Sequence, residues 1–483
     1  MSVPDRTRRT RRTDHPVLDA YTPERGDPGY RVEHYDLDLD YRVSSNRLSG
    51  RATLTVRALA HLEALKVDLV GLRAGKVTVD GSPAKWTHRG NAVTVRPVRP
   101  LEAGTTAELT ITYSGTPGPT RTRWGTLGWE ELAEGVLVAS QPTGAPTWFP
   151  CNDHPSGKAT YRIAIECDSP FAVTATGVLV EMRVRGSRTR RVFEQTHPMA
   201  TYLAAVHVGR YTEHVLADVP LHVRLLVPVG NGAAARHDLD RLPQMMAVLA
   251  ERFGPYPFPD YTVVVTADDL DIPLEAQGMA TFGANWLPGD RRHERLVAHE
   301  LAHQWFGNSL TLGTWSDIWL HEGFACYAEW LWAEAADGVP ASVNARAHHA
   351  RLAALPQDLV LSDPGPRDLF DDRVYKRGAL ALHALRTHLG DPTFFDLLRD
   401  WTATHADGTV STDAFVDLAV EHAVRSGGQT AGSSTVRGLL VAWLDERPLP
   451  ELLELPELPE PPAPLGPPGL SRLRRRREPP GLP

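Results

Sequence analysis

The chain has 483 residues, of which 42% are hydrophobic and 23% charged, and its formal net charge is −8. This length predicts two or three domains with an ample core. The negative charge argues against a general nucleic-acid partner. No apolar run approaches the length of a transmembrane helix, so we expect no membrane partner either.

The first residues of the chain are basic. Five arginines lie between residues 6 and 12, and the apolar core of a secretory signal does not follow them. We expect residues 1–27 to form a disordered basic arm, with a nucleic-acid-binding arm as the alternative. The three cysteines do not suggest a disulfide framework and are typical of a reducing compartment, which favours a cytoplasmic protein.

Residues 28–212 contain short runs in which apolar and polar side chains alternate. Such runs begin at Tyr35, Ala52, Leu109 and Tyr161, with Gly, Pro and Asp residues between them. A period of two is that of a strand with one buried face. We therefore predict an N-terminal antiparallel β domain, either a sandwich or a saddle-shaped sheet, within a multidomain α+β protein.

The most informative motif is His-Glu-x-x-His at residues 299–303, followed by Glu322. Residues i and i+4 share one face of a helix, so His299 and His303 can bind the same metal ion, and Glu300 can reach a water molecule there. Two histidines and the carboxylate of Glu322 leave the fourth zinc position open, which is the arrangement of catalytic sites. We predict one Zn2+ per chain.

The surroundings of the motif distinguish it from a chance occurrence on a polar helix. An apolar stripe that includes Leu296, Leu301 and Trp305 predicts a half-buried helix that stops at Gly307. A second helix is expected to begin near residue 319. On this helix Glu329 shares a face with Glu322, so it can orient one of the metal ligands.

After the motif, helical patterns continue to about residue 446, and the composition then changes. Prolines recur from Pro448 onward and exclude regular helices and strands. We expect residues 447–483 to form a Pro-rich disordered tail, with a docking segment for an SH3-like domain as the alternative.

With these motifs in order, the chain resembles the aminopeptidase N family of zinc metallopeptidases, which also includes the leukotriene hydrolase. Residues 148–155 are similar to the family's Pro-Cys-x-Asp-x-Pro segment, residues 274–277 stand where the family has Gly-x-Met-Glu-Asn, and residues 374–379 are similar to its Tyr-x-x-Gly segment. The resemblance is to short bacterial members. It implies a thermolysin-like, mainly helical catalytic domain over residues 213–446.

The resemblance also implies roles for further residues. Tyr375 matches the catalytic tyrosine that stabilises an oxyanion. Glu275 matches the carboxylate that binds the substrate's α-ammonium group, with Gln141 and Glu322 assisting. The chain departs from the family around Glu275, where only the glutamate of the motif remains, and at His321, where the family commonly has asparagine. We expect His321 to be a neutral substitution, with a supporting partner of the metal ligands as the alternative, and not a fourth zinc ligand.

The leading functional hypothesis is a zinc aminopeptidase that acts on peptides with a free N-terminus. Glu300 would take a proton from the attacking water and deliver it to the leaving amine. The alternatives are an endopeptidase or an epoxide hydrolase with the same zinc site, and a catalytically silent scaffold with a structural zinc. Glu275 and Gln141 argue against a pure endopeptidase. Glu300 and Tyr375 argue against the scaffold, which would not need to keep them. The oligomeric state and the preferred N-terminal residue stay open.

Overall fold

The computed structural model describes residues 18–218, 221–230, 232–427 and 431–452. The first part of the chain consists of strands. They are β1 (Tyr30–Arg42), β2 (Arg47–Ala58), β3 (Leu65–Asp68), β4 (Arg73–Val79), β5 (Ser82–Pro83), β6 (Lys85–Arg89), β7 (Ala92–Arg96), β8 (Thr106–Gly115), β9 (Thr120–Thr122), β10 (Gly125–Leu132), β11 (Gly135–Ala139), β12 (Ala159–Asp168), β13 (Ala172–Ala175), β14 (Val178–Arg185), β15 (Arg188–Met199) and β16 (Val206–Gly209).

These strands form a large sheet and two smaller ones. The large sheet has the order β14-β15-β12-β1-β2-β8-β4-β5, and the others have the orders β13-β16-β11-β10-β9 and β3-β7-β6. The apolar residues of the period-two runs point into the core, so Leu37 and Leu39 are almost fully buried. The pairing is antiparallel except between β1 and β12, where Tyr35 lies opposite Tyr161 in a parallel pair. The predicted N-terminal β domain is thus confirmed.

The second part of the chain combines a mixed sheet with helices. Its strands are β17 (Tyr211–Ala217), β18 (His222–Pro228), β19 (Asp260–Thr266), β20 (Leu274–Ala276), β21 (Met279–Gly283), β22 (Thr311–Leu312) and β23 (Thr409–Val410), and its helices are α1 (Ala233–Asp238), α2 (Leu242–Phe253), α3 (Glu294–Ala302), α4 (Trp319–Asp337), α5 (Ala341–Ala353), α6 (Asp372–Leu389), α7 (Asp391–Thr404), α8 (Thr412–Gly427) and α9 (Ala431–Leu444). The sheet order is β17-β18-β19-β21-β20. The predicted boundary at residue 212 falls inside β17, which pairs with β18.

Two glycines let α4 and α6 approach each other closely. A Cβ atom on Gly323 would lie 2.8 Å from Cα of Gly378, and one on Gly378 would lie 2.7 Å from Cα of Gly323. No side chain fits at such a distance, so the contact requires glycine on both helices. Glu322 precedes the glycine of α4, and Tyr375 lies three residues before the glycine of α6. This contact therefore brings Glu322 and Tyr375 towards one site.

The N-terminal segment from residue 18 packs across both parts of the chain. Asp19 is buried, and its Oδ2 accepts a hydrogen bond from the backbone N–H of Trp315 at 2.8 Å. The backbone N–H of Gly26 donates to Oδ2 of Asp68 at 2.8 Å. The prediction of a disordered arm over residues 1–27 is wrong for residues 18–27, because these buried polar contacts hold them against the body of the protein. Residues 1–17 lie outside the described part of the chain.

The segment after α9 folds around a buried arginine of α6. The guanidinium of Arg377 donates to the carbonyl oxygens of Trp443 at 2.8 Å, Glu446 at 2.5 Å and Arg447 at 2.8 Å. The backbone N–H of Leu449 donates to the side chain of Gln357. A buried guanidinium needs these acceptors. The prediction of a disordered tail over residues 447–483 is therefore wrong for its first residues, which these hydrogen bonds hold in place. Residues 453–483 lie outside the described part.

These contacts predict that the two ends of the Pro-rich region respond differently to truncation. Deletion of residues 453–483 should leave the melting temperature and the activity nearly unchanged. Deletion of residues 447–483 removes carbonyl acceptors from a buried charged group, which should lower the free energy of unfolding by about 2–4 kcal/mol. Thermal and urea unfolding of both truncated proteins measures the difference. Equal stability of the two would show that Arg377 does not depend on this segment.

Two further expectations concern the whole chain. The three cysteines, Cys151, Cys167 and Cys326, are buried free thiols, as expected. Within the described ranges, the helices are too short or too polar to span a membrane.

Candidate metal centre

Helix α3 ends between the two histidines of the motif. His303 follows the last helical residue, but it keeps helical backbone angles, and its N–H donates to the carbonyl oxygen of His299 at 3.2 Å. The i, i+4 relation is therefore preserved, and the two imidazole rings lie 4.9 Å apart. The helix is shorter than predicted, because the chain turns before Gly307, whose φ of +127° favours glycine.

Glu322 of α4 completes a cluster with the two histidines. Its Oε2 lies 3.4 Å from Nε2 of His299 and 3.6 Å from Nε2 of His303. Ligands about 2.0–2.1 Å from a tetrahedral zinc ion are roughly 3.4 Å from each other. All three side chains are buried. The cluster therefore fits a zinc ion with three protein ligands.

The other ring nitrogens of the two histidines are held from outside the cluster. Nδ1 of His299 lies 2.9 Å from Oε1 of Glu329, whose Oε2 accepts from Arg295 at 3.0 Å. Nδ1 of His303 lies 3.0 Å from the carbonyl oxygen of Phe306. Such contacts orient each ring so that its Nε2 faces the metal position, and the carboxylate raises the basicity of His299 as a ligand.

The electrostatics of the cluster favour a positive charge. Burial alone would lower the pKa of His299, but the carboxylates of Glu322 and Glu329 outweigh it and raise that pKa to about 10. Burial likewise opposes ionisation of Glu329, yet the hydrogen bond with His299 and the nearby positive charges together outweigh it and lower the pKa of Glu329 to about 2. A cation at the three ligand atoms would be stabilised by the same carboxylates.

Glu300 interacts electrostatically with the residues of the cluster but does not belong to it. Its Oε2 is buried and has no hydrogen-bond partner among the described residues. Burial raises the pKa of Glu300 well above its ordinary value; His299 opposes this shift, and the charges of Glu275 and Glu322 add to it. A carboxyl group with a raised pKa and an unused oxygen is suited to accept and return a proton.

Tyr375 and Glu275 lie beside the cluster of His299, His303 and Glu322. The Tyr375 ring stacks on the His299 ring, with centroids 5.9 Å apart and an angle of 19°. Burial and then the charges of Glu322 and Glu275 raise the pKa of Tyr375 well above its ordinary value, so the hydroxyl stays protonated and can donate. Burial raises the pKa of Glu275; the nearby His303 opposes this shift, and Glu322 adds to it.

Gln141 follows β11 on the N-terminal part of the chain. Its side chain is partly exposed, but its Nε2 is buried and lacks a hydrogen-bond partner within the described ranges. A buried donor without an acceptor costs free energy, which a substrate carbonyl could recover. The structure gives no direct contact between Gln141 and the described metal ligands, so its role stays a prediction.

His321 is buried beside the cluster. Its Nε2 accepts a hydrogen bond from the backbone N–H of Leu312 at 3.0 Å. Burial lowers the pKa of His321 to about 3, with His303 acting in the same direction, so the ring is neutral. The hydrogen bond holds β22 to the start of α4. Nε2 is therefore engaged away from the metal position.

Sequence reasoning anticipated Glu329 but missed several polar residues that support the site. Arg295 lies one helical turn before His299, a spacing that could have suggested its contact with Glu329. Gln304 and Asn308 are fully buried although they are polar. A polar residue inside the apolar run after the motif was the available signal for them.

Comparison with known proteins identifies the family. The model for the peptidase family M1 domain matches residues 237–437, and the model for the peptidase M1 N-terminal domain matches residues 31–203. Together they span most of the chain, in the order that the structure shows. The chain therefore belongs to peptidase family M1.

The chain matches only part of the length of its curated relatives. Aminopeptidase M1-A of Oryza sativa subsp. japonica is 30% identical over 305 residues, which are 58% of this chain and 34% of that protein. Aminopeptidase N of Lactobacillus delbrueckii subsp. lactis is 26% identical over 454 residues, which are 87% of this chain and 51% of that protein. The chain thus spans between about a third and half of these relatives.

Solved structures include a match over nearly the whole chain. The M1 zinc metallopeptidase of Deinococcus radiodurans, a mutant bound to a Tyr-Ser-Ala substrate, is 34% identical with a TM-score of 0.82, over 91% of this chain and 99% of that one. Native yeast LTA4 hydrolase, 22% identical, has a TM-score of 0.76 over 92% and 71% of the two chains, which shows likeness of fold alone. These findings confirm the predicted family, the α+β fold class and zinc as the cofactor.

Proposed function

We propose that the protein is a zinc aminopeptidase that hydrolyses the N-terminal peptide bond of peptides with a free N-terminus. The observation that carries this proposal is the place of Glu275. Its carboxylate lies close enough to the metal ligands for their charges to shift its pKa. No lysine or arginine of the described ranges forms a salt bridge with it. An unpaired carboxylate beside a metal centre is suited to bind an α-ammonium group.

The metal ligands in this proposal are His299, His303 and Glu322. When bound there, zinc would supply Lewis-acid chemistry, which lowers the pKa of the attacking water and polarises the scissile carbonyl. Glu300 accepts a proton from the attacking water through its unpartnered Oε2 and later delivers it to the leaving amine. The Tyr375 hydroxyl donates a hydrogen bond to the oxyanion that forms during attack.

The substrate is held at its amino end. Glu275 accepts hydrogen bonds from the α-ammonium group, and Gln141 donates one from its Nε2 to the substrate. This assignment limits cleavage to the first peptide bond, because only that carbonyl then lies beside the metal and Glu300.

The names of the relatives support this choice among the alternatives. The curated relatives are aminopeptidases, and the Deinococcus radiodurans structure holds a peptide substrate. The likeness to LTA4 hydrolase is one of fold, so it does not favour epoxide hydrolysis. An endopeptidase would not need an unpaired carboxylate at this place.

Glu275→Ala tests the proposal. Loss of a charge-assisted contact costs roughly 1.5–3 kcal/mol, so kcat/KM on free-amine peptides should fall by about tenfold to over a hundredfold. The zinc content should not change, since Glu275 is not a ligand. The wild type should leave N-acetylated versions of the same peptides uncleaved. Matched free and acetylated peptides measure both effects, and elemental analysis measures zinc.

The acetylated peptides are the decisive control. Equal wild-type rates on free and acetylated peptides would contradict the exopeptidase assignment, and the endopeptidase alternative would then lead. Glu275→Gln keeps the size of the side chain without its charge and should behave like the alanine variant.

A further inference from the structure

Two buried amide side chains tie the strand that carries Glu275 to the segment that directly follows α3. The carbonyl oxygen of Ala276 accepts from Nδ2 of Asn308 at 2.9 Å and from Nε2 of Gln304 at 3.2 Å. Oε1 of Gln304 in turn accepts from the backbone N–H of Gly278 at 2.8 Å. Both side chains are fully buried. Two of these hydrogen bonds hold Ala276, the residue after Glu275, and the third holds Gly278, two residues further on.

Both amides also belong to the chain segment that holds a metal ligand. Gln304 directly follows His303, and the backbone N–H of Asn308 donates to the carbonyl oxygen of His303 at 3.0 Å. The two residues therefore connect the backbone of His303 with the backbone beside Glu275. Other polar contacts of this segment lead elsewhere: Nε1 of Trp305 donates to the carbonyl oxygens of Gly254 and Pro255 at 3.0 Å.

The strand needs such a connection. β20 has three residues and lies at the edge of its sheet, where it pairs with β21 alone among the described strands. A short edge strand is weakly positioned by its own ladder. Charge pairing depends on distance, and a misplacement of about 1 Å in an active site can cost a hundredfold in rate.

We propose that Gln304 and Asn308 are positioning residues that set the distance between Glu275 and the metal centre. They thereby determine how strongly the enzyme prefers a free amine. This inference rests on the proposed aminopeptidase function, since it concerns the carboxylate to which that function assigns amine binding. Both side chains are fully buried, so they act on the substrate only through the position of Glu275.

Asn308→Ala and Gln304→Met test the inference. Each removes a hydrogen bond to Ala276, and Oδ1 of Asn308 has no described partner that would be left unpaired. We expect KM for a free-amine peptide to rise about fivefold to tenfold, the effect of one or two lost hydrogen bonds. The value of kcat should change less, and the zinc content should stay at the wild-type level. If one variant does not fold, the other provides the same comparison.

Trp305→Phe is the matched control. It removes a buried hydrogen bond from the same segment, but one that does not reach the Glu275 strand. Its melting temperature should fall by a similar amount while KM for the free-amine peptide stays unchanged. An equal rise of KM in Trp305→Phe would show a general loss of structure and overturn the inference.

A double-mutant cycle with Glu275→Ala decides whether the amides act through that carboxylate. In the Glu275→Ala background, Asn308→Ala should raise KM no further, because the group that it positions is gone. Additive effects would overturn the inference and leave the proposed function intact. If Glu275→Ala alone left amine preference unchanged, the proposed function would fail and the inference with it.

Discussion

Replacing Glu300 with glutamine is expected to lower kcat for peptide hydrolysis by about a hundredfold to ten-thousandfold, the range of general acid–base catalysis. The amide keeps the size of the side chain, but it cannot take a proton from the attacking water. The fold and the zinc content should stay unchanged, because Glu300 lies outside the cluster of His299, His303 and Glu322.

Steady-state kinetics and elemental analysis on the same preparation measure this prediction. Tyr375→Phe is a useful comparison, since it removes a hydrogen-bond donor and not a proton acceptor. Both variants should retain zinc. A Glu300→Gln protein that hydrolysed peptides at the wild-type rate would require a different proton acceptor in the site.

Replacing Glu322 with alanine is expected to remove the metal itself. The change takes away one of three ligands from a buried cluster, so the purified protein should contain little zinc and show little activity. Glu329→Gln should have a graded effect, because Glu329 contacts Nδ1 of His299 and not the metal position. The loss of such an outer partner typically weakens metal affinity by about 10–100-fold.

Zinc titration against a competing chelator separates these two variants. Excess zinc should restore activity to Glu329→Gln but not to Glu322→Ala. Equal zinc affinity in Glu322→Ala and the wild type would contradict the ligand assignment. Comparison with Glu300→Gln then distinguishes the loss of the base from the loss of the metal.

Some features of this protein are encoded locally and could be predicted from its sequence. The approach of His299 to His303 depends on helical geometry alone, in which residues four apart lie on one face. The same holds for the strands of the N-terminal part, where a period of two determines which side chains enter the core. The order of motifs along the chain indicated the family without any coordinates.

Other predictions failed where distant segments meet. The arm was assigned through residue 27 and the tail from residue 447, because composition alone separates polar ends from an apolar body. The structure shows that Asp19 and Arg377 hold the adjoining segments through buried polar contacts. Neither contact leaves a local pattern, because each partner is far away in the chain.

The sequence by itself thus determined the zinc cofactor, the pair of histidines and the division into a β part and a helical part, because these depend on residue type and on the repeat of one helix or strand. Only the tertiary structure decided how Glu322 reaches those histidines. This requires α4 to pack against α3 on one side and against α6 on the other, where Gly323 meets Gly378. It also decided how Glu275 is held, because Asn308 meets the strand of Glu275 only when the sheet packs against the segment that follows α3. Such contacts are set by the packing of whole elements, and no short stretch of sequence encodes them.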